Sequence, residues 1–392
     1  MLDLRSHFTR FLGAAPERLH LAAHSHHYWP DVSRDAHLAA WDDAARLADG
    51  KWMHVLGPVW EEAQAHVARV LNLPDPSTVV FAQNTFELWL RLLSCFPADR
   101  PVRVLTTDGE FHSFARLGRR LAEDGSIVLV SVPVEPLATY SERFQRAAAA
   151  GGHDLVLVSQ VFFGSGYVLA DLPDIVAAVP NPDTFVVIDG YHGFMARPTD
   201  LSGLAGRVFY LGGGYKYAMS GEGAAFMHCP PGYGARPRAT GWYASFGSLA
   251  AAPDGVVAYA ADGFRFMGAT FDPAPLYRFN AVMRWLASVG VDAAAVRDHA
   301  HALQRIFAGG LDERGCALRS TDLVVPLDEP NRGSFLTFRR PDAAALKSRL
   351  DAHDIVVDVR GDRLRTGFGL YHTAQDAARA AERVTEALRQ FT

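Results

Sequence analysis

The chain has 392 residues, 49% of them hydrophobic, and 38 Lys+Arg against 43 Asp+Glu give a formal net charge of −5. That length and apolar share support a sizeable core and exclude general disorder. The small charge, without a run of about five basic residues, excludes the electrostatic footprint of nucleic-acid binding.

Residues 1–30 mix charges and histidines, and no run of about 18 apolar residues occurs anywhere, so neither a signal peptide nor a membrane span is expected. The three cysteines, Cys95, Cys229 and Cys316, form no C-x-x-C pair and suit a reducing compartment, so a cytoplasmic protein is expected. In LAAHSHHYWPD (21–31), His24, His26 and His27 stand close together. No carboxylate or thiolate is tied to them by sequence, so they read as pocket-lining or buried imidazoles and no metal is expected.

From 78 to 228, apolar runs alternate with amphipathic stretches: VVFAQ (79–83), VRVLTT (102–107), IVLVSV (127–132), LVLVSQV (155–161), FVVID (185–189), RVFYLG (207–212) and AAFMH (224–228). Continuous apolar runs separated by helical patterns predict an α/β fold with a mostly parallel sheet of about seven strands, covered on both faces. Helices are predicted over 84–96, where Phe86, Leu90 and Leu93 share a side, and over 111–121 and 141–150. Small-residue loops are expected at 147–152 and 249–255.

After Pro275 the pattern changes to helices over 276–290 and 295–308, a strand at 334–340, a helix at 342–352, strands at 355–359 and 363–367, and a closing helix at 374–391. The expected division is an N-terminal segment (1–45) packing with the small domain and the site entrance, a large domain (46–275) and a smaller α+β domain (276–392).

In an open parallel sheet, ligands bind beyond the carboxyl ends of the strands. Three such ends stand out. Asn84-Thr85 opens a helix and offers either an ordinary N-cap or a phosphate seat. Asp189 ends FVVID, where it can close an Asx turn or face a cationic nitrogen, and His192 follows three residues on.

Lys216 lies in LGGGYKYAMSGEG and is one of only three lysines, with Lys51 and Lys347. Apolar, glycine-rich surroundings lower an amine's pKa, as Schiff-base chemistry requires. The phosphate-loop pattern is absent because Tyr217 follows the lysine. Phosphate seat, carboxylate and amine together are the contacts that pyridoxal phosphate needs.

At these residues the chain resembles class V of the fold-type I pyridoxal-phosphate enzymes, and within it the kynureninase group. FAQNTFELWLRLL resembles the phosphate-binding helix start, which implies Asn84, Thr85 and Phe86 as donors. GEFHSF is similar to the segment whose aromatic lies over the cofactor ring, implying Phe111, with His112 as the other candidate.

IDGYHG matches the Asp-x-x-His motif, implying Asp189 on the pyridine nitrogen with His192 nearby. GYKYAMSGEG implies Lys216 as the cofactor-bonding lysine and Tyr215 as phosphate contact and proton donor. ATGWYASF and FRFMGATFDPAP imply cofactor contacts by Trp242 and Thr270, contributed in trans within a homodimer. RLRTGFGLYHT implies Arg365 on the substrate α-carboxylate. LAAHSHHYWPD departs from the group's Asp-Gly-Asn-Ser-Leu-Gly type segment, which places His24, Ser25, His26 and His27 at the substrate entrance.

The implied activity is hydrolytic Cβ–Cγ cleavage of a kynurenine-type 2-amino-4-oxo acid. An aminotransferase, epimerase or β-elimination lyase on another amino acid shares the cofactor contacts, and a non-catalytic binding protein would share the fold. Cysteine desulfuration is set aside, because residues 356–372 contain no cysteine.

Overall fold

The computed structural model describes residues 2–248 and 255–389. Apart from Gly255, the expected loop at 249–255 lies outside them, as do the last residues of the expected closing helix. After a short strand β1 (Leu19–His20), the seven apolar runs become β2 (Val79–Ala82), β3 (Val102–Thr107), β4 (Ile127–Val132), β5 (Leu155–Ser159), β6 (Phe185–Asp189), β7 (Val208–Gly213) and β8 (Ala225–His228).

These seven form one sheet in the order β2-β8-β7-β6-β5-β3-β4. The neighbours from β4 to β7 are parallel, whereas β8 runs antiparallel to both β7 and β2. Val156, Leu157, Val158, Val186, Val187 and Ile188 are all 0% exposed. Both faces of β5 and β6 are covered, so their sequences read as unbroken apolar runs and not as alternation.

A second core gathers Leu303, Phe307 and Leu311 of the helix Ala293–Glu313 with Leu336 and Phe338 of β9 (Leu336–Arg339) and Leu346 and Leu350 of the helix Ala343–Asp351. The strand expected at 355–359 divides into β10 (Ile355–Val356) and β11 (Asp358–Arg360). β11 turns at Gly361, whose φ of 57° suits a glycine, into β12 (Arg363–Thr366), and β11-β12-β9 form an antiparallel sheet. β10 instead pairs in parallel with β1, which carries Leu19 into the second core.

Among the helices that escaped the sequence reading, the two longest are Val32–Leu47 and Trp60–Leu71, the latter burying Ala63, Val67 and Leu71 at i, i+4, i+8. Among the described residues no helix is long and apolar enough to cross a membrane, and no group of three or more His, Cys, Asp or Glu could hold a metal ion.

Candidate active site

The carboxyl ends of β2, β5 and β6 and the loop between β7 and β8 converge on a cavity of about 240 Å³, whose lining includes Asn84, Thr85, Phe111, Ser159, Phe163, Asp189, His192, Tyr215, Lys216 and Glu222. At its helical end, Asn84 Oδ1 accepts from the Glu87 amide (3.1 Å) and caps the helix Thr85–Leu93. The cap leaves first-turn amides without intrahelical acceptors, the arrangement that seats an anion.

Asp189 ends β6, and its Oδ1 accepts from the Tyr191 amide (3.0 Å), which leaves the other oxygen for a second partner. Gly190 is required here: a Cβ would fall 1.9 Å from the Tyr210 ring. That close passage brings His192 back toward the cavity.

Lys216 is 7% exposed and its Nζ stands 2.6 Å from His192 Nε2. The amine also lies 5.4 Å from the Phe111 ring centroid and 5.0 Å from that of Tyr191. Burial pushes its pKa down to about 7; Asp189 and Asp358 oppose the shift, whereas Arg365 and Arg360 add to it. Burial likewise raises the Asp189 carboxyl and lowers His192 well below the usual imidazole value. With Nζ donating to Nε2, the neutral ring carries its proton on Nδ1, which is buried and has no protein partner.

The lysine loop is clasped from outside. Arg278 donates from Nε to the Ser220 carbonyl (2.9 Å) and from Nη2 to the Glu222 carbonyl (2.6 Å), and its guanidinium lies 5.4 Å from the Trp29 ring. Gly221 has φ 74° and faces the Trp29 indole, which a Cβ would meet at 2.5 Å.

Arg365 is 2% exposed, with Phe163 and Phe335 rings 5.7 and 5.5 Å from its guanidinium carbon. One Nη donates to Asp358 and the other to the Phe163 carbonyl. His24 is fully buried, parallel to Phe335 at 4.6 Å, with neither ring nitrogen hydrogen-bonded. His27 is buried too and accepts the Leu370 amide at Nε2. Of the three histidines expected at the entrance, only His26 reaches the wall of the cavity, through Tyr215 (2.9 Å).

Phe111 lines the cavity and His112 does not. Phe86, Trp242, Thr270, Ser25, His24 and Arg365 also lie off the cavity lining: Phe86 is 43% and Trp242 44% exposed, the latter stacked on Tyr243 at 4.0 Å, Thr270 is exposed and Ser25 half-buried, while His24 and Arg365 are buried, Arg365 reaching the lining through the Phe163 carbonyl.

Sequence reasoning passed over Ser159 and Phe163, although they lie at and just beyond the end of β5, where the strand-end rule applies. It also passed over Glu110, 4% exposed, whose carboxylate accepts from Thr107 Oγ1 (2.7 Å) and Ser159 Oγ (2.6 Å). Burial raises that carboxyl to about 7, and neighbouring Asp189 adds to the shift.

Residues 296–384 match the kynureninase C-terminal domain. The chain is 30% identical over 239 residues to the kynureninase of Deinococcus radiodurans and 26% identical over 249 residues to that of Pseudomonas fluorescens. These stretches cover 60% and 61% of this chain but 57% of each relative, so the matches span little more than half of those proteins.

Among solved structures, a C-DES mutant with glycine covalently linked to its PLP cofactor superposes with a TM-score of 0.80 at 18% identity, covering 97% of this chain and 99% of that one. The apo cysteine desulfurase of Thermococcus onnurineus gives 0.77 at 16% identity over 100% of both chains. Local sequence and whole-chain architecture thus agree: the chain is kynureninase-like and has the fold of the class V, fold-type I pyridoxal-phosphate enzymes.

Proposed function

We propose that the chain is a pyridoxal-phosphate enzyme acting on an amino acid, and that its reaction is the hydrolytic Cβ–Cγ cleavage of a kynurenine-type 2-amino-4-oxo acid. The observation that carries this reading is Lys216, a buried amine held near neutrality between His192 and Asp189 at the carboxyl end of a parallel sheet.

The residues present fit the cofactor. The orphaned His192 Nδ1 donor and the open oxygen of Asp189 want polar partners that the protein itself does not provide. Asn84, Thr85 and the helix start would hold the phosphate, Asp189 the pyridine nitrogen, Phe111 a ring face and Lys216 the aldehyde carbon. When bound, the group supplies an electron sink for a carbanion at Cα.

The chain's own residues do the rest. Lys216 Nζ, largely unprotonated just above neutral pH, takes the proton from Cα. The Tyr215 hydroxyl, on the cavity wall, gives a proton on the substrate side. Arg365 grips the α-carboxylate, and its planar fork sets the orientation of Cα.

Borohydride reduction followed by peptide mapping tests the cofactor: the pyridoxyl adduct belongs on Lys216, and an adduct on Lys51 or Lys347, or none, overturns the reading. Incubation with kynurenine and 3-hydroxykynurenine tests the substrate, with fluorescent anthranilate products expected. A second reading, other class V chemistry on a different amino acid, is favoured by the histidines that replace the usual entrance segment. It becomes the better one if the correctly adducted protein releases no anthranilate. Sulfur transfer is disfavoured, since none of Cys95, Cys229 and Cys316 lines the cavity.

The proposal includes a cytoplasmic homodimer in which Trp242 and Thr270 serve the partner's site. Their exposure away from their own cavity supports that assignment.

A further inference from the structure

His26 differs from its two histidine neighbours. His24 and His27 are sealed in, whereas the His26 side chain is 44% exposed. Its Nδ1 stands 2.9 Å from the Tyr215 hydroxyl, and the two rings meet edge-on at 5.3 Å and 86°. Glu222 Oε1 lies 3.9 Å from the same nitrogen. Tyr215 and Glu222 both line the Lys216 cavity, so His26 joins that cavity to solvent through one hydrogen bond.

The backbone fixes this placement. The Ser25 and His26 amides both donate to the Ala22 carbonyl (2.9 Å each), and Ala22 bridges in parallel to Gly367. Three residues on, Trp29 packs against Gly221 of the lysine loop. His26 is therefore held on both sides by segments that themselves frame the site.

We propose that His26 is the positioning residue of Tyr215: it orients the phenol and carries its proton to and from solvent. The inference rests on the reading of Tyr215 as proton donor given above. A phenol whose pKa is raised by burial, Glu222 and Asp358 holds its proton tightly and must be resupplied after each transfer. The titratable groups that share His26's field are Tyr215 and Glu222 of the lysine loop and His20 and His27 of its own segment.

The step balances. As the Tyr215 O–H bond breaks toward substrate, the His26 Nδ1–H bond breaks toward the phenol oxygen and Nε2 takes a proton from solvent. One proton has crossed, and the imidazole ends neutral as the other tautomer.

The test uses the full chain labelled with 3-fluorotyrosine, with and without pyridoxal phosphate, the Tyr215 ¹⁹F signal being assigned by its loss in Y215F. In the native chain the hydroxyl proton of Tyr215, followed by the ¹⁹F isotope shift in H2O/D2O mixtures, should exchange readily with solvent through the His26 hydrogen bond. H26Q, whose amide can still hydrogen-bond the phenol but cannot relay a proton, should slow that exchange at least about 10-fold, and H26N serves as a second variant. With a substrate in hand, turnover in H26Q should fall at least about 10-fold and be partly restored by added imidazole.

Tyr215 hydroxyl exchange unchanged in both variants overturns the proposal, as does full turnover without His26. The NMR result needs no turnover, so it stands whether or not the borohydride adduct is found on Lys216.

Discussion

Arg365 is paired with Asp358, the residue directly opposite it in the β11–β12 hairpin. The pair is buried, Arg360 also binds Asp358 (2.6 Å), and the second Nη of Arg365 is taken by the Phe163 carbonyl. Asp358 thus places an internal carboxylate on the arginine that the proposed substrate carboxylate would engage. Bidentate capture requires at least one of these bonds to be exchanged.

D358N should therefore act in two directions. Removing one member of a buried pair costs about 3–5 kcal/mol, so the melting temperature should fall. The competing anion is also gone, so an α-amino acid ligand should bind more tightly than to the native chain and restore much of the lost stability. Weaker binding in D358N would show that Asp358 helps to receive the carboxylate. The measurement is thermal denaturation with and without ligand.

Lys216 predicts a stability slope in the cofactor-free chain. Its pKa is lowered to about 7 in the fold, whereas an unfolded lysine titrates at about 10.4, so the unfolded state binds more protons between these limits. Stability from this site should rise with pH across that window. K216M should lack the rise in urea melts at successive pH values; an identical slope in native and variant would remove the buried amine as its cause.

Glu110 has the opposite sign. A carboxyl raised to about 7 makes the folded state the better proton binder from about pH 4.3 to 7, so stability falls as pH rises through that range. E110Q should not show the fall, and its advantage over the native chain should grow toward pH 7. E110A leaves the Ser159 and Thr107 hydroxyls without their acceptor and should be less stable by about 1–3 kcal/mol.

Trp242 tests the shared site. Because Trp242 is 44% exposed in its own chain, W242A should barely change the fold yet weaken cofactor binding in the dimer. Mixed with K216A chains, it should regain about a quarter of the native sites, since half of the dimers are hybrids with one complete site each. Failure to complement, with both parents dimeric, would place Trp242 outside the partner's site.

Much of the large sheet was legible because β5 and β6 are covered on both faces and therefore unbroken in sequence. Asp189 and Lys216 were legible because they follow such runs. The resemblance to known proteins, not periodicity, singled out Tyr215 and Arg365.

Asp358 could not be read, because its position opposite Arg365 depends on a hairpin register set by the turn at Gly361. Glu110 was missed because it lies in irregular chain between elements, where no periodicity marks a buried side chain; Phe163, half-buried just beyond β5, was open to the strand-end rule. For His24 the sequence left two readings, pocket-lining or buried; it is buried, stacked on Phe335 and within 4.0 Å of Asp358 in the hairpin.

The parallel pairing of β1 with β10 joins Leu19 to Ile355 and His20 to Val356. During synthesis, at about 5–20 residues per second, β1 must wait for all the intervening chain to be made before β10 is there to pair with it. Until then the segment carrying His26 and Trp29 lacks its strand partner and depends on its contacts with Tyr215, Gly221 and Arg278 to stay against the lysine loop.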